Sequence, residues 1–141
     1  MQELIYASAA QTLLDPLQLG AILEVARRNN ARLKVTGILL YHEGSFFQVL
    51  EGEAETVNAL YARIRQDPRH RGVVELSRRA VEQASFGAWS MGFVALDPRL
   101  LRELPGRHGL SSNGSLEHEP KAILALLDQF RQGRFRQYVL G

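Results

Sequence analysis

The chain has no cysteine among its 141 residues. That removes disulfides, thiolate nucleophiles and cysteine-ligated zinc or iron–sulfur sites together, and it fits a reducing compartment. Long apolar runs are missing too: none approaches the roughly 20 residues that a membrane-spanning helix requires. Met1-Gln2-Glu3 lacks the basic start and apolar stretch of a signal peptide. These two features lead to the expectation of a cytoplasmic protein without a membrane partner. An excess of one charge is also lacking. Seventeen Lys and Arg against 15 Asp and Glu leave +2, too little to imply a nucleic-acid partner. Arg131, Arg134 and Arg136 gather near the end, as on a solvated helix face. His42, His108 and His118 show no metal-ligand spacing. No Ser/His/Asp arrangement and no Gly-rich phosphate loop after a strand can be found. The expectation is therefore no metal site and no enzymatic chemistry. What the chain does have is 45% hydrophobic residues with 23% charged, the composition of an ordinary globular domain.

Leu4-Ile5-Tyr6-Ala7 reads as an opening strand. Asp15, Pro16 and Gln18 then form a helix start: a capping carboxylate, a proline suited to the first turn and an amide that closes a capping box. Leu19, Ile22, Leu23 and Ala26 continue at helical spacing, and the helix is expected to fray near Asn29-Asn30. A hairpin follows, from Thr36 to Tyr41, through a turn at His42-Glu43-Gly44-Ser45, into Phe46 to Leu50. Val57, Leu60, Tyr61 and Ile64 mark a second amphipathic helix, ended by Asp67-Pro68. Strands are expected over Val73 to Val81 and Trp89 to Leu96. The order β-α-β-β-α-β plus one strand predicts an α+β, ferredoxin-like sandwich with two helices on one sheet face. Beyond Leu96 the texture changes. Pro98 to Arg102 is read as a short helix, Gly106 to Ser115 as a polar loop, and Pro120 to Gln132 as a helix with Ile123, Leu127 and Phe130 on one face. The expected division is a domain over 1–96 and a helical extension over 97–141.

Several residues sit oddly for a plain core. Side chains alternate faces along a strand, so Phe46, Gln48 and Leu50 share one face while Phe47 and Val49 share the other. An amide between apolar neighbours needs a partner, because an unsatisfied one costs about 1–3 kcal/mol. Backbone or water would serve as that partner. So would Tyr6, since the first and third strands of such a sheet are neighbours. A Gln side chain can also exchange its donor and acceptor ends, which makes it a candidate switch. Asn29-Asn30 read either as a helix C-cap or as an amide pair for the polar edge of a planar ligand. Arg63, Arg65, Arg69 and His70 form a basic cluster, either surface or a phosphate holder. Trp89 and Met91, two residues apart, are expected on one face of the last strand, as core or as ligand contacts.

Together, in this order, Leu4-Ile5-Tyr6-Ala7-Ser8, Arg28-Asn29-Asn30, Val35 to Tyr41, Gly44 to Gly52, Asp67-Pro68-Arg69-His70 and Trp89-Ser90-Met91-Gly92-Phe93 resemble the BLUF family of flavin-binding blue-light sensors. The resemblance covers about residues 2 to 96. It implies a flavin between the two helices, FAD by expectation, with FMN or riboflavin as alternatives. It implies that Tyr6 is the electron-donating tyrosine and Gln48 the switching glutamine. Asn30 is then the contact for the flavin C4 carbonyl and N3 edge, with Asn29 near the C2 carbonyl. Trp89 and Met91 report the switch, and Arg63, Arg69 and His70 hold the ribityl-phosphate end. The ring also needs a flat apolar slot, for which Ile22, Ile38, Leu39 and Ile64 are candidates.

A sensor must be read by something. The apolar positions beyond Leu96 suggest a homo-oligomer or a downstream signalling protein that distinguishes the lit state from the dark one. Two rivals remain. An RNA-binding module of the same topology is suggested by Gly44 to Val49, but Glu43 stands where that motif wants a basic residue and Leu50 where it wants an aromatic. An acylphosphatase-like hydrolase would need an arginine in residues 7–15, and there is none.

Overall fold

The structure is a computed structural model that describes residues 1–10, 15–42, 44–87, 89–95, 125, 127 and 128. Strands β1 (Gln2–Ala10), β2 (Thr36–His42), β3 (Ser45–Gly52), β4 (His70–Ala80) and β5 (Gly92–Ala95) are interleaved with helices α1 (Pro16–Leu33) and α2 (Ala54–Gln66). The strands form one sheet in the order β4-β1-β3-β2-β5. The first four pair antiparallel, as in a ferredoxin-like sheet, and β5 adds to β2 in parallel. The expected α+β class with an extra strand is what the chain adopts.

Local chemistry accounts for the elements. The Asp15 side chain accepts from the Gln18 N–H at 2.8 Å, and the Gln18 side chain accepts from the Asp15 N–H at 3.0 Å, so the capping box closes. α1 does not fray at Asn29-Asn30. It continues to Leu33 and ends on Lys34 in the left-handed region at φ 58°. In the hairpin, Gly44 takes φ 87°, a conformation that favours glycine; Glu43 lies outside the described residues.

β3 is buried along its whole length, as expected of a central strand covered on both faces. Its helix-side residues Phe46 and Leu50 join Leu4, Tyr6, Leu39 and Phe93, with Leu23 from α1 and Val57 and Tyr61 from α2, in one apolar cluster. On the far side Ile5, Ile38, Leu40, Phe47, Val49 and Val94 are buried as well. Each fully buried side chain of this size contributes roughly 1.5–3 kcal/mol. Gly37 is fixed by close approach, since a Cβ there would collide with the carbonyl oxygen of Val49.

Two strands begin elsewhere than expected. β4 starts at His70 rather than Val73. The last strand starts at Gly92, and Ser90 and Met91 form a bend before it. Of the extension, Ala125, Leu127 and Asp128 are helical, Leu127 is fully buried, and Asp128 adds to the field at Arg79 of β4. Leu96, the short helix at 98–102, the loop at 106–115, Ile123, Phe130 and the three late arginines lie outside the described residues.

Candidate functional site

α1, α2 and the sheet enclose a cavity of about 210 Å³. Its α1 wall is Ile22, Val25, Ala26, Asn29 and Asn30, the i, i+3, i+4, i+7, i+8 stripe of one helical face. Leu60, Arg63 and Ile64 come from α2, and Tyr6, Leu39, Phe46, Gln48 and Leu50 from the sheet. Asp67, Arg69 and His70 follow α2.

Its floor is set by strand register. Tyr6 of β1 lies directly opposite Gln48 of β3, and Gln48 opposite Leu39 of β2. The row therefore presents a phenol, an amide and an aliphatic side chain toward the helices. The Tyr6 hydroxyl donates to Gln48 Oε1. The other end of the amide, Nε2, donates to the Met91 sulfur at 3.3 Å. Gln48 is thus held at both ends inside the core. Burial, with smaller contributions from Tyr61 and Asp67, pushes the Tyr6 phenol far above its usual pKa, so it stays protonated. Its ring also meets that of Tyr61, centroid to centroid at 5.4 Å. By helical spacing alone Tyr61 is a core position of α2.

The segment before β5 is fastened from several directions. Asn30 Nδ2 donates to the Ser90 carbonyl at 2.9 Å, and Arg27 Nε to the Met91 carbonyl at 2.9 Å. The Gly37 N–H donates to the Trp89 carbonyl at 3.2 Å. Asn30 is buried, whereas Asn29 is part-exposed and its side chain makes no hydrogen bond to another described residue. Neither caps α1.

At the mouth the basic residues are not equivalent. Arg69 forms a fork with Asp67 (Nη2–Oδ2 2.6 Å, Nε–Oδ1 3.1 Å), which holds the Asp67 carboxyl down at about 2. His70 Nδ1 pairs with Ser8 Oγ at 2.9 Å, and burial lowers its pKa. Arg63 lines the cavity with no ion pair to another described residue. Arg65, also in the basic cluster of the sequence, lies over the Tyr61 ring at 5.8 Å instead.

Most expected residues converge here: Tyr6, Ile22, Asn29, Asn30, Leu39, Gln48, Arg63, Ile64, Arg69 and His70 all line one cavity. Two expectations are corrected. Ile38 pairs with Val49 and so faces the far side, because adjacent residues of β2 cannot share a face with Leu39. Trp89 and Met91 do not share a face either. Met91 reaches Gln48, whereas Trp89 stacks near Phe86, with centroids 6.5 Å apart. The alternation fails because strand geometry begins only at Gly92. Val25, Ala26, Phe46, Leu50, Leu60 and Asp67 line the cavity beyond the expected contacts, although helical spacing from Ile22 and Ile64 reaches Val25, Ala26 and Leu60, and alternation from Gln48 reaches Phe46 and Leu50.

Over residues 1–92 the chain matches the family described as sensors of blue-light using FAD, BLUF. It is 42% identical over 89 residues to the photoactivated adenylate cyclase subunit beta of Euglena longa, covering 62% of this chain and 10% of that protein. It is 42% identical over 97 residues to the blue light- and temperature-regulated antirepressor BluF of Escherichia coli (strain K12), covering 69% of this chain and 24% of that one. The chain thus spans a tenth to a quarter of these curated relatives. Among solved structures, BlsA in its ground state aligns with TM-score 0.78 at 30% identity, covering 92% of this chain and 87% of that one. The dark-state structure of BlrB, a BLUF protein, aligns with TM-score 0.76 at 28% identity over 94% and 96%. These matches disfavour the RNA-binding module.

Proposed function

This chain belongs to the BLUF family of blue-light sensors, and from that premise we propose that it works through a hydrogen-bond switch centred on Gln48. The observation that carries the reading is the chain of contacts from the Tyr6 hydroxyl through the Gln48 amide to the Met91 sulfur, on the floor of one cavity.

The lining suits a flavin. Ile22, Leu39 and Ile64 offer apolar walls, and Asn29 and Asn30 offer amides for a polar rim. At about 210 Å³ the cavity is smaller than the ~300 Å³ at which sites for whole drug-sized ligands begin. A flat ring would sit inside, with its tail leaving past Arg63 and His70. Arg63 is the better phosphate contact, because the Arg69 guanidinium is already neutralised by Asp67. FAD is the expected form. When bound, the flavin absorbs blue light and becomes a strong oxidant.

Tyr6 would answer that oxidant. Its phenol is neutral in the dark, so losing an electron requires it to shed the hydroxyl proton, and Gln48 Oε1 is the acceptor it already touches. The amide has a donor end and an acceptor end. The electron and the proton would return to Tyr6 when the charges recombine, and an amide left inverted would set Nε2 against Tyr6 Oη and Oε1 against the Met91 sulfur. The sulfur is a good neighbour for N–H and a poor one for a carbonyl oxygen, so inversion would press Met91 away and pull on the segment tied to Asn30 and Arg27. Light is thereby converted into a backbone displacement at one sheet edge.

Residues 97–141 would carry this displacement onward, to a second copy of the chain or to a signalling partner, in the cytoplasm and without catalysis by the chain itself. Purification tests the reading. A yellow protein whose flavin absorption moves reversibly to longer wavelength under blue light is expected, and the chromophore released on denaturation should be FAD. A colourless preparation that takes up no added flavin would contradict it. Removing residues 97–141 should leave the shift intact and abolish oligomer or partner responses.

A further inference from the structure

Glu51 stands three residues after Gln48 on β3 and points to the far side of the sheet, where it is 1% exposed. A carboxylate there is an unusual choice. It also lies opposite Glu3 of β1 in the sheet register, and two buried like charges side by side are unfavourable. Glu3 meets the Arg79 guanidinium at 2.9 Å. Glu51 is satisfied differently. Its Oε2 accepts from the Ser85 N–H at 2.6 Å, and its Oε1 from the Phe86 N–H at 3.0 Å and the Thr36 hydroxyl at 3.0 Å. Two of these three donors are backbone groups of the turn that leads into Trp89 and Met91. That turn is closed by a Trp89 N–H to Phe86 carbonyl bond of 3.1 Å.

We propose that Glu51 is the fixed point about which the Trp89–Met91 segment moves. It is a positioning residue, which acts through the Ser85 and Phe86 amides and touches neither the phenol nor the switching amide. The inference rests on the light-sensing reading above. A displaced Met91 can signal in a defined direction only if one end of its segment stays put. The near end is held by Asn30 and Arg27 of α1 and by the Gln48 amide. The far end is held by a carboxylate that can only accept, and that would be left buried beside Glu3 if it let go. A rotated Gln48 therefore swings the segment about the turn at Ser85–Phe86 and does not peel it from the sheet.

Residue-resolved amide exchange on the full flavin-loaded chain, dark and illuminated, tests this. Ser85 and Phe86 should stay protected in both states, while light speeds exchange at Trp89 to Met91 roughly tenfold or more. If Ser85 and Phe86 loosen together with Trp89 to Met91, there is no fixed point and the proposal is wrong. Glu51→Gln, which keeps the shape and removes one acceptor, should retain the flavin shift. Its dark-recovery rate should change roughly tenfold, and the light-induced change in Trp89 fluorescence should be lost. Wild-type recovery with a wild-type Trp89 signal in that variant would also overturn the proposal. Should the variant fail to fold, the wild-type exchange comparison decides by itself. Absence of any flavin shift in the wild-type protein would overturn the light-sensing reading and this inference with it.

Discussion

The two faces of β3 carry polar side chains of opposite temperament. On the helix side, Gln48 is held by a phenol and a thioether and can exchange its two ends without losing both partners. On the far side, three residues on, Glu51 is held by two amides and a hydroxyl and has only acceptors to offer. Both are buried at similar depth in the same strand. Burial alone therefore does not decide whether a group can take a second arrangement. What decides is whether its hydrogen-bonding capacity is symmetric enough to permit a second arrangement. One strand thus supplies both the element proposed to move and the one proposed to stay.

The largest effect expected on this contrast comes from Gly37, which meets both sides. Its α-carbon has no room for a methyl against the Val49 carbonyl, and its N–H holds the Trp89 carbonyl. Gly37→Ala should cost about 3 kcal/mol or more in denaturant unfolding and blur the contrast by shifting β2 against β3. Unchanged stability would mean that the strands relax more freely than a close-packed sheet permits. Met91→Leu is gentler and sharper. A volume-conserving swap should cost less than about 1.5 kcal/mol, yet it removes the sulfur that accepts from Gln48 Nε2. Dark recovery should change well beyond what that stability loss explains, and recovery at the wild-type rate would show that the sulfur only fills space.

How much of this was readable beforehand divides along a physical line. Period-two alternation on β3 placed Gln48 with Phe46 and Leu50, and topology brought Tyr6 beside it, because strand register here follows the apolar pattern. The same rule applied to β2 would have put Ile38 opposite to Leu39. The error there was to choose residues for a slot by hydrophobicity alone. Trp89 and Met91 were harder. Whether residues before Gly92 alternate depends on where a parallel partner strand begins pairing, which no local signal states. The end of α1 was misjudged because Lys34, not an asparagine, takes the left-handed position. Asp67 was read as a helix stop, although its place two residues before Arg69 also allowed the fork that neutralises that arginine.

A smaller effect belongs to Arg27, whose Nε fastens the Met91 carbonyl from α1. Arg27→Ala should cost about 1 kcal/mol and loosen the near end of the segment only, so Ser85 and Phe86 should keep their protection against exchange. Loss of protection there would erase the distinction between the two ends. The smallest effect is one of pH. Burial places the His70 pKa below the 6.5 of the free side chain. Above that value the ring is neutral in both folded and unfolded chains and contributes nothing. As pH falls below it, the unfolded chain takes up the proton first, so stability declines. The melting temperature should therefore drop slightly from about pH 7 to about pH 5.5 in the wild type, and less steeply in His70→Gln. Equal slopes would mean that His70 titrates as a solvated side chain.

The proposed light response passes through the Tyr6–Gln48 contact, and one spectroscopic comparison addresses it. Tyr6→Phe and Gln48→Leu, each loaded with flavin, are illuminated with blue light beside the wild type. Both variants should hold the flavin and neither should show the reversible shift to longer wavelength that the wild type gives. A normal cycle in either one would mean that the signal does not pass through this pair of side chains.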